Sequence, residues 1–139
     1  MLFRSGAGHQ VVFVFNATTT SPSGASVKDA ANNNVGSVSA SASGNEVILS
    51  VSGLPDNQRA TVSLASVNGK TVNASAAIGF LAGDVNASRA VTASDILRTK
   101  GRAGQAANSA NYLYDVDVTG AINASDVSAV KQRAGLALP

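Results

Sequence analysis

Residues 92–104, TASDILRTKGRAG, and residues 123–135, NASDVSAVKQRAG, are two versions of one block, set 31 positions apart and identical at seven. A block repeated at so short a period commits the C-terminal part of the chain to one local fold used twice. Each copy also opens like a helix. Thr92 and Asn123 are good N-caps, and each is followed three residues later by Asp, a short form of the capping box. Basic residues fall in the last turns, where the helix dipole favours them, and Gly101 or Gly104 is expected to end the first helix and Gly135 the second. Ile96 and Leu97 are the expected core contacts of the first helix, and Val127 and Val130 those of the second.

Extended backward, the copies become DVNASRAVTASD, residues 84–95, and DVDVTGAINASD, residues 115–126, both 12 residues long. That is the length of an EF-hand calcium loop, which wraps its ion with oxygens from positions 1, 3, 5, 7 and 12, position 9 often acting through water. Loop one offers Asp84, Asn86, Ser88, the carbonyl of Ala90, Thr92 and Asp95, and loop two offers Asp115, Asp117, Thr119, the carbonyl of Ala121, Asn123 and Asp126. Position 8, which points into the core in such loops, is Val91 in one and Ile122 in the other. All five acidic residues of 81–139 fall on position 1, 3 or 12, and none is spent elsewhere. Charges that served only solubility would be scattered. An all-oxygen donor set argues against zinc, and a flexible loop with six or seven oxygens suits calcium better than magnesium.

Two loop–helix units with Asp at position 12 and no full entering helix resemble a dockerin domain. The resemblance covers about residues 82–139. It implies a calcium-dependent adhesion module that binds a cohesin-like protein domain. It also implies which residues meet that partner: Ala93 and Ser94, Ala124 and Ser125 at positions 10 and 11, with Lys100, Arg102, Lys131 and Arg133 down the helices. Because both copies carry the same set, the resemblance implies that a partner can be bound in either of two orientations. The chain departs from the family at position 5, usually Asp but here Ser88 and Thr119. It departs again at position 6, where Gly120 keeps the usual glycine and Arg89 does not. With three carboxylates against two, loop two is expected to bind calcium more tightly, and loop one to be weak or empty.

The rest of the chain reads differently. Residues 1–78 are rich in Ser, Thr, Val, Asn and Gly, the mix of short strands and turns. VVFVF at 11–15 is expected to be a buried strand, followed by strands in VGSVSASA, NEVILSVSG, RATVSLASV and TVNASAAIGF. Ala60, Val62, Leu64 and Ser66 are expected on one face, and Asn68-Gly69-Lys70 marks a hairpin turn. Six or seven short strands fit an immunoglobulin-like or fibronectin-like sandwich. The fold class is therefore α+β in two modules: an all-β sandwich over 1–80 and a small α-helical calcium domain over 81–139.

Composition narrows the function. No cysteine is present, so disulfides and thiol chemistry are excluded. No nucleophile–base pair is visible; His9, the sole histidine, has no acidic neighbour and is expected at the surface. An enzyme is not expected. The net charge of +2 comes from scattered bases, Arg4, Lys28, Arg59 and Lys70 in the first part, so no nucleic-acid partner is expected. No apolar run approaches a membrane span. Nor does any stretch near the start have the length of a signal peptide, so the chain is expected to be a C-terminal fragment of a larger secreted or cell-surface bacterial protein. The leading expectation is a non-catalytic, calcium-stabilised anchoring module. One alternative is a structural tail whose partner is the sandwich itself. Another is a carbohydrate-binding module, a poor fit to a chain with no Trp and no aromatic strip.

Overall fold

The structure is a computed structural model describing the backbone of residues 2–3 and all of residues 8–139. Arg4, counted above among the scattered bases, and most of the segment before His9 lie outside the described residues. The chain is mostly β-sheet in its N-terminal part and carries two short helices near the C-terminus. It divides into two compact units, essentially Phe3–Phe80 and Leu81–Leu138.

In the first unit, β1 (Leu2–Phe3), β7 (Lys70–Phe80), β6 (Gln58–Val67) and β3 (Pro22–Asp29) form one sheet in that order. A second sheet runs β2 (His9–Val14), β5 (Glu46–Ser52), β4 (Ser37–Ser43). The two sheets share one core. Val47, Leu49 and Val51 enter it from β5, Val62, Leu64 and Val67 from β6, Ile78 and Phe80 from β7 and Val27 from β3. Strand β3 had no strand signal in the sequence: PSGASVKD opens with proline and carries a single fully buried residue, Val27.

Turn chemistry follows the sequence closely. Asn68 and Gly69 both have positive φ, 53° and 72°, and join β6 to β7 by a two-residue loop with Val67 opposite Lys70. Gly44 (φ 60°) opens the two-residue turn from β4 to β5. Asn68 also ties down the approach to β3: its side chain accepts from the Thr20 N–H at 2.8 Å and donates to the Thr18 carbonyl at 2.7 Å.

Three expectations about the first unit need correction. The run VVFVF is not buried on both faces. β2 alternates, with Val11 and Phe13 packed on the core while Val12 (46%) and Val14 (66%) are exposed, because the core covers only one face of this strand. The one-face pattern of β6 holds through Ala60, Val62 and Leu64. A register irregularity between Leu64 and Ser66 then brings Val67, not Ser66, to full burial. His9 is half-buried, its ring 5.2 Å from that of Phe80, rather than a plain surface residue.

The second unit holds α1 (Ala93–Lys100), β8 (Gln105–Ala106), a single 3₁₀ turn (Tyr112–Tyr114), β9 (Ala121–Ile122) and α2 (Ala124–Gln132). Leu81, Val91 and Val130 form its fully buried core, with Ile96, Val116 and Leu138 packed around them. Leu97 is not a core contact: it is 71% exposed. It occupies the position of Ser128 in the other copy, on the outer face. Inward, the place of Val130 is taken by Thr99, whose hydroxyl donates to the Asp95 carbonyl at 2.9 Å. The first helix ends at Lys100 with Gly101 still right-handed (φ −67°), and Gly104 supplies the left-handed residue (φ 91°) further on.

Candidate metal centre

Both 12-residue segments are closed loops, and their closure is written in the hydrogen bonds of the end carboxylates. At position 1, Asp84 accepts from the Ser88 N–H at 3.0 Å and the Arg89 N–H at 2.7 Å. Asp115 does the same with Thr119 and Gly120, both at 3.0 Å. At position 12, Asp95 accepts from the N–H groups of Val85 (3.0 Å), Asn86 (3.3 Å) and Thr92 (2.8 Å). Asp126 accepts from Val116 (2.7 Å), Asp117 (3.2 Å) and Asn123 (2.8 Å). All four carboxylates are buried. An ionised carboxylate out of water must be satisfied, and here backbone amides surround it.

Thr92 and Asn123 are the N-caps, as expected. Asp95 and Asp126 reach back to the cap N–H groups, so each aspartate joins the first turn of a helix to both ends of its loop. The Asn123 side chain also accepts from the Ser125 N–H at 2.8 Å.

Positions 5 and 7 lie side by side. The Ser88 hydroxyl donates to the Ala90 carbonyl at 3.0 Å, and the Thr119 hydroxyl oxygen lies 3.2 Å from the Ala121 carbonyl oxygen. Position 3 differs between the copies. In loop two, Asp117 accepts from the hydroxyls of Ser125 and Thr119, and these bonds, the Ser125 one foremost, hold its carboxyl below the ordinary range. In loop one, the Asn86 side-chain oxygen accepts from the Ser88 N–H at 2.9 Å.

Ligand-type oxygens of Asp115, Asp117 and Asp126 all fall within 4.8 Å of one another. Three carboxylates that close repel unless a cation lies among them. The set is all oxygen, with a backbone carbonyl and a hydroxyl alongside, and such hard donors fit a hard divalent ion of the calcium type. Loop one has the same path with Asp84 and Asp95 only, because Asn86 replaces the third carboxylate.

Backbone strain marks both loops. Position 6 is left-handed in each: Gly120 at φ 88° and Arg89 at φ 72°. The arginine adopts the glycine conformation. Position 4 is left-handed too, Ala87 at φ 60° and the β-branched Val118 at φ 59°, a feature that nothing in the residue types signals.

The residues that the resemblance assigns to a partner are mostly open to solvent. Ala93, Ser94, Ala124, Ser125, Lys100, Arg102 and Lys131 are exposed. Arg102 lies over the Tyr114 ring, 5.6 Å from its centroid. Arg133 is half-buried, and its guanidinium donates to the Ala129 carbonyl at 3.2 Å.

One set of contacts around the loops was missed in the sequence. β8 pairs with β9, Gln105 opposite Ile122 and Ala106 opposite Ala121, and Ala137 bridges Ala90. The signal was present: the repeat runs two residues past its last glycine, Gly104-Gln105-Ala106 against Gly135-Leu136-Ala137.

Among known protein families, the model of the dockerin type I domain matches residues 82–133 and supports a dockerin domain there. No curated protein matches the chain.

Proposed function

We propose that the chain is a calcium-dependent anchoring module, an immunoglobulin-like sandwich over 1–80 followed by a dockerin domain over 81–139. The observation that carries this reading is the cluster of Asp115, Asp117 and Asp126 in a 12-residue loop, inside the segment matched by the dockerin family. Dockerin domains are non-catalytic calcium-binding modules whose partners are cohesin domains, so the partner kind follows from the match.

In this reading, calcium lies among Asp115, Asp117, Thr119, the Ala121 carbonyl and Asp126 in loop two, with Asn123 acting through water. A second, weaker ion lies among Asp84, Asn86, Ser88, the Ala90 carbonyl and Asp95, with Thr92 in the position of Asn123. The ion neutralises carboxylates that otherwise repel, so binding and folding of the unit are linked. The helices, with Arg102 in the turn just after the first, then present Ala93, Ser94, Ala124, Ser125, Lys100, Arg102 and Lys131 to a cohesin-like domain. Arg133 is placed to brace α2 more than to reach outward, given its bond to Ala129. Such a module belongs on a secreted or cell-surface bacterial protein. Among the described residues, no helix is long and apolar enough to cross a membrane.

The test is calorimetric titration of chelator-treated protein with calcium, followed by titration with cohesin domains. Two calcium events, the tighter abolished by Asp117→Ala, together with a cohesin interaction lost in chelator, are the expected result. No heat with calcium would overturn the reading; calcium binding with no cohesin interaction would leave the ion but remove the anchoring role.

A further inference from the structure

We infer that the segment following α2, residues 135–138, is a working part of loop one: it sets the aim of that loop's carbonyl ligand and thereby its calcium affinity. The inference rests on the calcium reading above.

Three backbone hydrogen bonds hold this segment to loop one. Val91 N–H donates to the Leu136 carbonyl at 2.8 Å, Gly135 N–H to the Val91 carbonyl at 2.9 Å, and Leu138 N–H to the Arg89 carbonyl at 2.9 Å. The first is decisive for the ion. The Ala90 carbonyl and the Val91 N–H belong to one planar peptide unit and point in opposite directions. Fixing the N–H on Leu136 therefore fixes the carbonyl in the other direction, towards the Ser88 hydroxyl that already bonds it at 3.0 Å.

The same support exists in loop two, but it comes from elsewhere in the chain. Gly104 N–H donates to the Ile122 carbonyl at 2.8 Å, and Gln105 stands opposite Ile122. Shifting Gly104, Gln105 and Ala106 by the 31-residue repeat gives Gly135, Leu136 and Ala137, and the pairing register is preserved: Ala106 opposite Ala121, Ala137 opposite Ala90. Each loop is thus propped by the segment that follows the other loop's helix. Loop two's prop lies between the helices. Loop one's lies beyond α2 and beyond the residues that the dockerin family matches.

The packing agrees. Leu138 sits half-buried against the core of Leu81, Val91 and Val130, so its side chain anchors the segment on the unit that contains loop one. Gly135, at φ 94°, turns the chain out of the helix and back towards Val91.

The experiment uses the full chain and three variants: deletion of 135–139, Leu138→Pro, and Leu138→Ala. The proline removes the N–H bonded to Arg89 along with the leucine side chain; the alanine removes only the side chain and is the packing control. Calcium chloride is titrated into chelator-treated protein, and the amide resonances of Arg89 and Gly120 report the two loops separately. In Leu138→Pro the Arg89 midpoint should rise about tenfold over Leu138→Ala, the worth of one net hydrogen bond, and further in the deletion, with the Gly120 midpoint within twofold of wild type. Amide exchange at Val91 in chelator should be faster in the deletion than in wild type. Equal movement of both midpoints, or no difference between proline and alanine, would overturn the role of the segment. If wild type shows no calcium-dependent shift at Arg89, the calcium reading of loop one fails as well, and the wild-type titration alone reveals it.

Discussion

Arg89 and Val118 occupy backbone conformations that cost an ordinary residue about 1–2 kcal/mol, since a Cβ at positive φ crowds the carbonyl. They persist because Asp84 and Asp115 accept from the amides around them. Arg89→Gly and Val118→Gly should therefore each stabilise the second unit by up to about 1 kcal/mol in chelator, read by urea unfolding. The buried aspartates work in the opposite sense. Asp126→Ala strands the amides of Val116, Asp117 and Asn123, and should destabilise the unit by about 1–3 kcal/mol or more without any metal present. A loss confined to calcium-loaded protein would show that Asp126 serves only the ion. These side chains were legible in the sequence because residue type and spacing alone pick them out. The left-handed position 4 was not legible: alanine and valine carry no mark of it, and it is imposed by closure of the loop around position 1.

At the scale of elements, the turns hold the sheets in register. Gly36 has φ 61°, and a Cβ there would collide with the Ser52 carbonyl oxygen. Gly36→Ala should cost more than the ~1 kcal/mol of conformation alone, seen as a lower melting temperature. Asp29 closes the β3–β4 connection by accepting from Asn33, through its N–H and its side-chain amide, and from the Ala31 N–H. The Asn33 N–H foremost lowers its pKa. Its contribution to stability is therefore complete above its ordinary value of 3.8 and is lost as pH falls through the lower folded value. Asp29→Asn should flatten the fall in melting temperature over that acidic window, and an unchanged pH profile would discount the turn. Most strands were legible from alternation and from the Asn68-Gly69 turn. β3 was not, because its apolar content is low and its place is set by pairing with β6. VVFVF misled on burial, because a continuous apolar run does not say whether one or both faces of a strand are covered.

At the scale of the whole molecule, calcium should raise the melting temperature of the transition that reports residues 81–138. Leu64→Ala, in the core of the first unit, should lower stability there by about 2–5 kcal/mol. Calorimetry with and without chelator checks both, and a calcium-insensitive profile would count against linkage of ion and fold. The mutual propping of the two loops has a consequence for how such a module could be built at all. The props form a closed exchange of two: the strand after the first helix serves the second loop, and the strand after the second helix serves the first. One copy alone would leave a loop without a strand and a strand without a loop. A third copy in tandem would have no vacancy to fill. Two is the count at which the exchange closes within one chain, and a solitary copy could satisfy it only by trading strands with another molecule.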